Sequence, residues 1–497
     1  MTCNNGFIKI ISLLLVLLAA AVPVLSSCSG RGGGEGNLPG GETTGTAAAE
    51  TTTEKPLYPE YELDLEGADF NMIYYDAVEA CGWSSEIPCD IDVDEQTGDI
   101  LADAIYLRNS KIGEMYNTNI VGIQYSKWDL NVYVAKSVLA GDSAYDAMFP
   151  NWQIMNGVIS QGLAVRLDGL FDMSMPWWDE KAEEAFKVAG KTYAACGDLT
   201  FMDKLCDIVI FFNKQMVEDY NIGDIYKLVV DGKWTFDKLI ELSELVSADL
   251  NNDGKYDRND RYGFSAQNDG FYELYNSAGE RFCAIGDDGI PYLSATGERA
   301  ISVMTDIYTF MNRVEHYFNR QTQGLTVGEC IEMFRANQAL FFMRPLQTVM
   351  ELRSMDADFG IIPTPKYDEA QESYHTSIGY TVAIATCIPS DVKSIDNSVA
   401  VLDTLAAESY YNVNEVLYDM VLGSKVTRDE NSTENLDIIF NNHLLDPGEI
   451  FQFGGFANGM MANWKGAADK VVSTIAGYES KINADIEKFL ETLESLE

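Results

Sequence analysis

From Tyr58 onward, short apolar runs alternate with longer stretches of helical spacing. "ADFNMIYYD" predicts a strand ending in aromatics. "GDILADAIYLRNSKIGEMYN" predicts a helix, with Ile100, Ala104, Leu107 and Ile112 on one face. "TNIVGIQYS" follows as a strand, "DLNVYVAKSVLAG" as a helix, and "YDAMFPNW" as a strand running into a polar-aromatic loop. Strand–helix–strand succession implies a parallel sheet with helices on its faces. Ligands of such sheets sit beyond the carboxyl ends of the strands. Tyr74, Tyr75, Asp76, Asn151 and Trp152 fall at such ends.

A second α/β unit begins near "LTFMDKLCDIVIFFNKQM". "KWTFDKLIELSELVSADL" predicts a helix capped by Thr235, with Asp237 in its first turn. "ECIEMFRANQALFFMRP" reads as helix then strand, "DADFGIIPTPKYD" as a strand broken by proline, and "YTVAIATCIPSD" as a further strand. Helices from Asn397 onward complete the pattern.

The N-terminus follows a different pattern. "GFIKIISLLLVLLAAAVPVLSSC" has one lysine, Lys9, a long apolar run, and small residues before Cys28, which reads as an export signal. "LSSC" resembles a bacterial lipobox, which implies removal of residues 1–27 and acylation of Cys28 by palmitate-type chains. Residues 28–57, rich in Gly, Thr and Glu, predict a flexible tether. No comparable apolar run follows, so no transmembrane helix is expected in the body.

Composition narrows the function. The 77 Asp and Glu against 34 Lys and Arg leave no basic surface for a phosphate backbone, so a nucleic-acid partner is not expected. Beyond Cys3 and Cys28 the cysteines are Cys81, Cys89, Cys196, Cys206, Cys283, Cys330 and Cys387, without a C-x-x-C. Cys81 and Cys89 are spaced for a loop disulfide or stand as two thiols.

The order of elements resembles the extracellular solute-binding proteins of ABC importers, in particular the large sugar-binding group. "YDAMFPNWQIMNGVISQGLAVRLDGLF", "DIVIFFNKQMVEDYNI", "GKWTFDKLIELSELV", "FRANQALFFMRP" and "KVTRDENSTENLDIIFNN" carry the resemblance by their succession. "DAVEACGWSSEIPCDIDVDEQTGD", after the first strand, is longer than the resemblance leads one to expect. The resemblance implies a two-lobed α/β fold of the type II periplasmic-binding-protein kind, with a cleft between lobes joined by hinge crossovers. Its expected lobes are residues 58–203 with 366–425, and 204–365 with 426–497. It further implies a monomer, held at the outer face of the membrane by its lipid, that hands a solute to ABC permease subunits.

A carbohydrate site needs flat aromatics for C–H faces and fixed polar groups for hydroxyls. Tyr75, Trp152, Trp177, Trp178, Tyr272 and Trp464 are candidates for stacking; Asp76, Asn151, Gln153 and Arg344 for hydrogen bonding. Each aromatic is equally a core candidate, and Arg344, after an apolar strand, is either a ligand contact or half of a buried ion pair. A peptide or polyamine remains an alternative solute. The rival class is a secreted glycoside hydrolase, which needs two suitably spaced carboxylates. No G-x-S-x-G, H-E-x-x-H or complete phosphate-binding loop occurs, so no catalytic residue is assigned and an enzyme is not expected.

One motif stands apart. In "DLNNDGKYDRND", Asp249, Asn251, Asp253, Lys255, Asp257 and Asp260 fill positions 1, 3, 5, 7, 9 and 12 of a calcium loop, with Gly254 at the turn. The expectation is a structural Ca²⁺ without chemistry. A scaffold module of the dockerin kind would have two such loops, and this chain has one.

Overall fold

The computed structural model describes residues 58–75, 89–125, 129–379, 383–422 and 430–496. Asp76, Cys81 and Cys28 of the expectations above, and with them the signal and the tether, lie outside the described residues.

The first sheet is three-stranded, with β1 (Asp69–Tyr75) between β2 (Asn119–Tyr125) and β3 (Ala147–Phe149). All pairs are parallel, from Asp69 opposite Asn119 to Tyr75 opposite Tyr125, and from Met72 opposite Ala147 to Tyr74 opposite Phe149. β1 is buried on both faces from Met72 to Tyr75, as a central parallel strand must be.

The helix Ile100–Tyr116 forms where predicted, capped by Asp99, whose carboxylate accepts from the amides of Leu101 and Ala102. Its buried face differs from the predicted one. Ile100 and Leu107 are exposed, while Leu101, Ile105, Arg108 and Ile112 are inside. The reason is polar. Arg108 donates to the carbonyls of Asp90, Ile91 and Leu199 and to Ser409 Oγ, so its buried guanidinium ties the helix to three distant segments. An apolar pattern cannot reveal a face that an arginine anchors.

The second sheet is five-stranded and mixed. Its members are β4 (Ile208–Asn213), β5 (Tyr262–Ala266), β8 (Tyr317–Asn319), β9 (Ala339–Pro345) and β10 (Phe359–Pro363), in the order β10-β4-β9-β5-β8. β5 runs parallel to β8 and β9; β4 runs antiparallel to β9 and β10. β6 (Cys283–Ile285) and β7 (Pro291–Leu293) form a separate hairpin. All of β4 is buried, which is why "IVIFFN" is an unbroken apolar run up to its Asn. The Thr235 cap stands as predicted, accepting from Lys238 N ahead of the helix Phe236–Val246.

Two of the described segments cross between the sheets, and a third, residues 442–444, is tied to them by backbone bonds. Ile208 N donates to Ser377 O and Gly379 N to Cys206 O; Thr376 N donates to Asn442 O and Leu444 N to Thr376 O. Beyond the crossing, Ile384, Thr386 and Cys387 bridge antiparallel to Asn151, Ala195 and Met148, so this segment extends the first sheet. Up to the crossing the chain stays with the second sheet: Lys366 bridges to Thr235 and Tyr374 Oη donates to Val229 O, past the boundary expected at 366.

Among the described residues Cys89, Cys196, Cys206, Cys283, Cys330 and Cys387 are free thiols, and no helix is long and apolar enough to cross a membrane.

Candidate functional site

β5, β8 and β9 run parallel, so their carboxyl ends share one edge of the second sheet. β5 delivers Asn268 and Asp269 into the helix Gly270–Ser277, β8 delivers Gln321, and β9 carries Arg344 as its penultimate residue. From the first lobe, Gln153 follows β3. Asn268, Asp269, Gln321 and Gln153 line a cavity of ≈ 320 Å³, with Arg344 behind its carboxylates. Its floor is the crossover, Ile208 and Ser377 to Gly379; Asn268, Asp269, Tyr272, Glu273 and Gln321 form one wall; Glu449, Asn458 and Met461 close it from the C-terminal helices. The lobes also touch directly beside it, where Asn156 Nδ2 donates to Phe451 O at 2.7 Å.

Hydrogen bonds fix this wall. Asn268 N donates to Gln321 Oε1 (3.0 Å), and Asn268 Oδ1 accepts from both Asn319 Nδ2 and Trp464 Nε1 (3.0 Å each). Tyr272 Oη donates to Asn458 Oδ1 at 2.9 Å, and Asn276 Nδ2 to Glu449 Oε1 at 2.6 Å. A site whose polar groups are already held loses little freedom when a ligand arrives.

The electrostatics are unusual for so small a space. Asp269, Glu273 and Glu449 are all raised above the ordinary carboxylate range, in each case chiefly by burial. For Glu273 the neighbouring Asp269 adds to the rise; Arg344 opposes it. Arg344 itself, 5 % exposed, is lowered by burial, with Asp269 and Glu273 working the other way. Among the described residues its Nε has no hydrogen-bond partner, and neither do Gln153 Oε1 or Ser377 Oγ. Buried polar atoms left in this state are costly. A molecule carrying many groups that both donate and accept, as hydroxyls do, would satisfy a guanidinium and carboxylates together.

A second cavity, ≈ 330 Å³, adjoins the first through Asn268 and Gln321 and is bounded further by Thr322, Asn463, Trp464 and Lys465. Lys465 Nζ stands 5.6 Å from the Trp464 ring centroid.

The predicted site residues divide. Gln153 and Tyr272 line the cleft, Trp464 the adjoining cavity, and Arg344 lies within Coulomb range of the cleft carboxylates. Tyr75, Asn151 and Trp152 are at the right strand ends but buried, at 1 %, 0 % and 2 % exposure. Trp152 packs edge-on against Phe186 with its indole toward the Cys196 thiol. Trp177 and Trp178 both donate to Asp403 Oδ1, at 2.7 and 2.8 Å, and border a different cavity. The carboxylates Asp269, Glu273 and Glu449 were not anticipated. "QND" directly after the strand "RYGFSA" is the signal that would have found Asp269; Glu449 is brought in from the C-terminal helices, which nothing local announces.

In the Asp249–Asp260 loop the side chains serve the loop's own amides. Asp249 accepts from Asn252 N and Gly254 N, Asn251 from Asp253 N, Asp253 from Lys255 N, and the buried Asp260 from Leu250 N and Asp257 N. Among the described residues no group of three or more His, Cys, Asp or Glu side chains stands close enough together to hold a metal ion.

No protein-family model and no curated protein matches the chain. Solved structures do. An ABC substrate-binding protein from Listeria monocytogenes, in complex with cycloalternan, aligns with a TM-score of 0.56 at 13 % identity, over 85 % of this chain and 99 % of that one. An ABC transporter solute-binding protein from Thermotoga lettingae, bound with α-D-tagatose, aligns at 0.54 and 12 %, over 84 % and 100 %. The cyclic α-maltosyl-1,6-maltose binding protein from Arthrobacter globiformis aligns at 0.54 and 12 %, over 84 % and 99 %. At these identities the likeness establishes the fold: a two-lobed α/β fold of the periplasmic-binding-protein kind.

Proposed function

We propose that this chain is the extracytoplasmic solute-binding component of an ABC importer and that its solute is a carbohydrate, bound without turnover. The observation that carries the reading is the cleft at the crossovers. There Asp269, Glu273 and Glu449, with Arg344 close by, surround a space bordered by unpartnered amide and hydroxyl groups. The fold-mates bind cycloalternan, tagatose and a cyclic maltosyl-maltose, and this supports the class of solute. The adjoining cavity at Trp464 supports an oligosaccharide over a single ring.

The mechanism is differential binding to two arrangements of the lobes. A solute that contacts Gln153 from one lobe and Asp269, Tyr272 and Glu273 from the other favours the closed arrangement by the affinity it loses on opening. The closed form is then what permease subunits engage. Acylation at Cys28 and the tether 28–57 belong to the same proposal: they hold a monomeric body near the membrane and leave it free to swing.

The test is titration calorimetry of the purified protein with a panel of α-linked gluco-oligosaccharides, with chromatography of the same mixtures. Saturable heat with unchanged sugar supports the reading. Steady release of shorter sugars, abolished in Glu273→Gln, would make the chain a hydrolase.

A further inference from the structure

A third cavity, ≈ 700 Å³, is the largest of those described, and the proposed sugar site does not use it. Side chains alternate along the crossing segments. Ile208 and Ser377 face the cleft, while Asp207 pairs with His443, a residue of the large cavity's wall. The two cavities therefore lie on opposite faces of the crossover.

Its charges are distributed unevenly. Every cation in the wall is committed: Lys181 Nζ donates to Asn441 O, Lys204 pairs with Asp198 and Asp203, and His443 pairs with Asp207. Glu180 and Glu415 are exposed acids of the same wall. Asn414, 5 % exposed, lines the same wall. Its Nδ2 donates to Asp198 Oδ1 at 2.7 Å, which fixes the orientation of the amide and leaves Oδ1 as a buried acceptor without a partner among the described residues. An unsatisfied buried acceptor bordered by carboxylates selects a hydrogen-bond donor that carries positive charge. Aromatic surface is at hand as well, Tyr418 set edge-on to Phe440 with centroids 5.5 Å apart.

We propose that this cavity is a second ligand site, for a small organic cation of the alkyl polyamine class. One ammonium group is held by Asn414 Oδ1 and Glu415, another by Glu180, and the carbon chain lies along Tyr418 and Phe440. The volume is in the range of small-molecule sites. The wall draws on the first lobe through Asn414 and on the helix Glu430–Asn441, which packs on β10 of the second, so an occupant binds one arrangement of the lobes better than the other.

The experiment is calorimetry and thermal unfolding of the full-length chain with spermidine, in the absence of any sugar. The expected result is saturable binding with Kd below about 1 mM, at least roughly tenfold weaker in Glu415→Gln and in Asn414→Leu, and unchanged in Asp269→Asn. Should Asn414→Leu not fold, Glu415→Gln at its exposed position decides alone. Three results overturn the proposal. They are no binding, equal binding in the cavity variants, or a thermal shift reproduced by magnesium at equal ionic strength, which is screening of the net charge of −43. Binding lost in Asp269→Asn places the cation in the cleft and overturns it too. Since no sugar is present, failure here leaves the carbohydrate reading untouched.

Discussion

Asp207 Oδ1 lies 2.8 Å from His443 Nε2, and the pair joins one segment that crosses between the lobes to the segment 442–444 bonded to the other. Asp207 is fully buried. Burial on its own disfavours a charged His443, but Asp207, with Asp179 and Asp203 beyond it, outweighs that and raises the histidine above its ordinary value of 6.5. The Asp207 carboxyl is raised by burial, with His443 and Lys204 opposing. A histidine raised on folding contributes stability that is complete below its unfolded pKa and disappears as pH climbs through the folded one. The raised carboxyl has the same sign. Thermal stability should therefore fall as pH rises through the interval above the histidine's ordinary value of 6.5, and His443→Gln should flatten that slope. A wild-type melting temperature that rises over this interval contradicts the assignment.

The cleft predicts opposite signs for binding and stability at one position. Arg344 is buried without a hydrogen bond to Nε and without an ion pair at contact distance among the described residues, so its charge is costly; Asp269 and Glu273, which burial already holds raised, can take up protons when it is removed and so leave no charge stranded. Arg344→Met should leave the melting temperature unchanged or raise it while weakening sugar binding. Asp269→Asn should cost about 2 kcal/mol of binding or more, roughly thirtyfold in Kd. Paired calorimetric and unfolding measurements on both variants check this; loss of stability in Arg344→Met means that the guanidinium is a structural tie.

Trp152 follows the strand end Phe149, where a ligand residue was expected, yet it faces Phe186 at 5.4 Å inside the first lobe. Trp152→Ala should destabilise by about 3–5 kcal/mol. Denaturant titration reads this directly, and a variant as stable as wild type would return the indole to the cleft.

These positions show what a linear pattern can carry. Strand and helix succession was legible because burial imposes a period on the chain, and the parallel first sheet followed from it. Gln153 and Tyr272 were legible as polar or aromatic residues at strand ends. Burial of Trp152 was not, since the same apolar ring suits a sugar face and a core. The acid cluster was also hidden: Asp269, Glu273 and Glu449 are three among 77 acids, and only the return of the C-terminal helices to the crossover makes them neighbours. The antiparallel β4 was hidden for a similar reason, because strand direction is set by the crossover and not by the strand's own residues.

Asp403 holds three donors at once: Trp177 Nε1 and Trp178 Nε1 on Oδ1, and Tyr61 Oη on Oδ2 at 2.9 Å. Removing the acceptor strands two buried indole N–H groups. Asp403→Ala should cost about 3–5 kcal/mol, and Tyr61→Phe about 1 kcal/mol, because the second leaves the indoles satisfied. Equal losses in the two variants would contradict this ranking.

The acidic loop gives the remaining prediction. Its shape is already fixed by amide bonds to Asp249, Asn251, Asp253 and Asp260, so the turn does not need an ion to form. Each of these oxygens keeps a second lone pair. The aspartates stand too far apart to hold an ion as they are; we propose that calcium draws Asp249, Asp253, Asp257 and Asp260 inward and binds through those lone pairs with the Lys255 carbonyl, in the weak range of about 10⁻⁴ to 10⁻³ M typical of extracellular modules. Calcium at about 100 times its dissociation constant should then stabilise the fold by about 2.7 kcal/mol relative to chelator. Asp253→Ala separates ion from turn: Asp253 is exposed and its backbone role is confined to Lys255 N, so the variant should match wild type in chelator and lose the calcium increment. Asp260→Ala should be destabilised in both conditions, because its carboxylate is fully buried and carries the amides of Leu250 and Asp257. Wild-type melting temperatures that coincide in calcium and in chelator would leave the loop a hydrogen-bonded turn and nothing more.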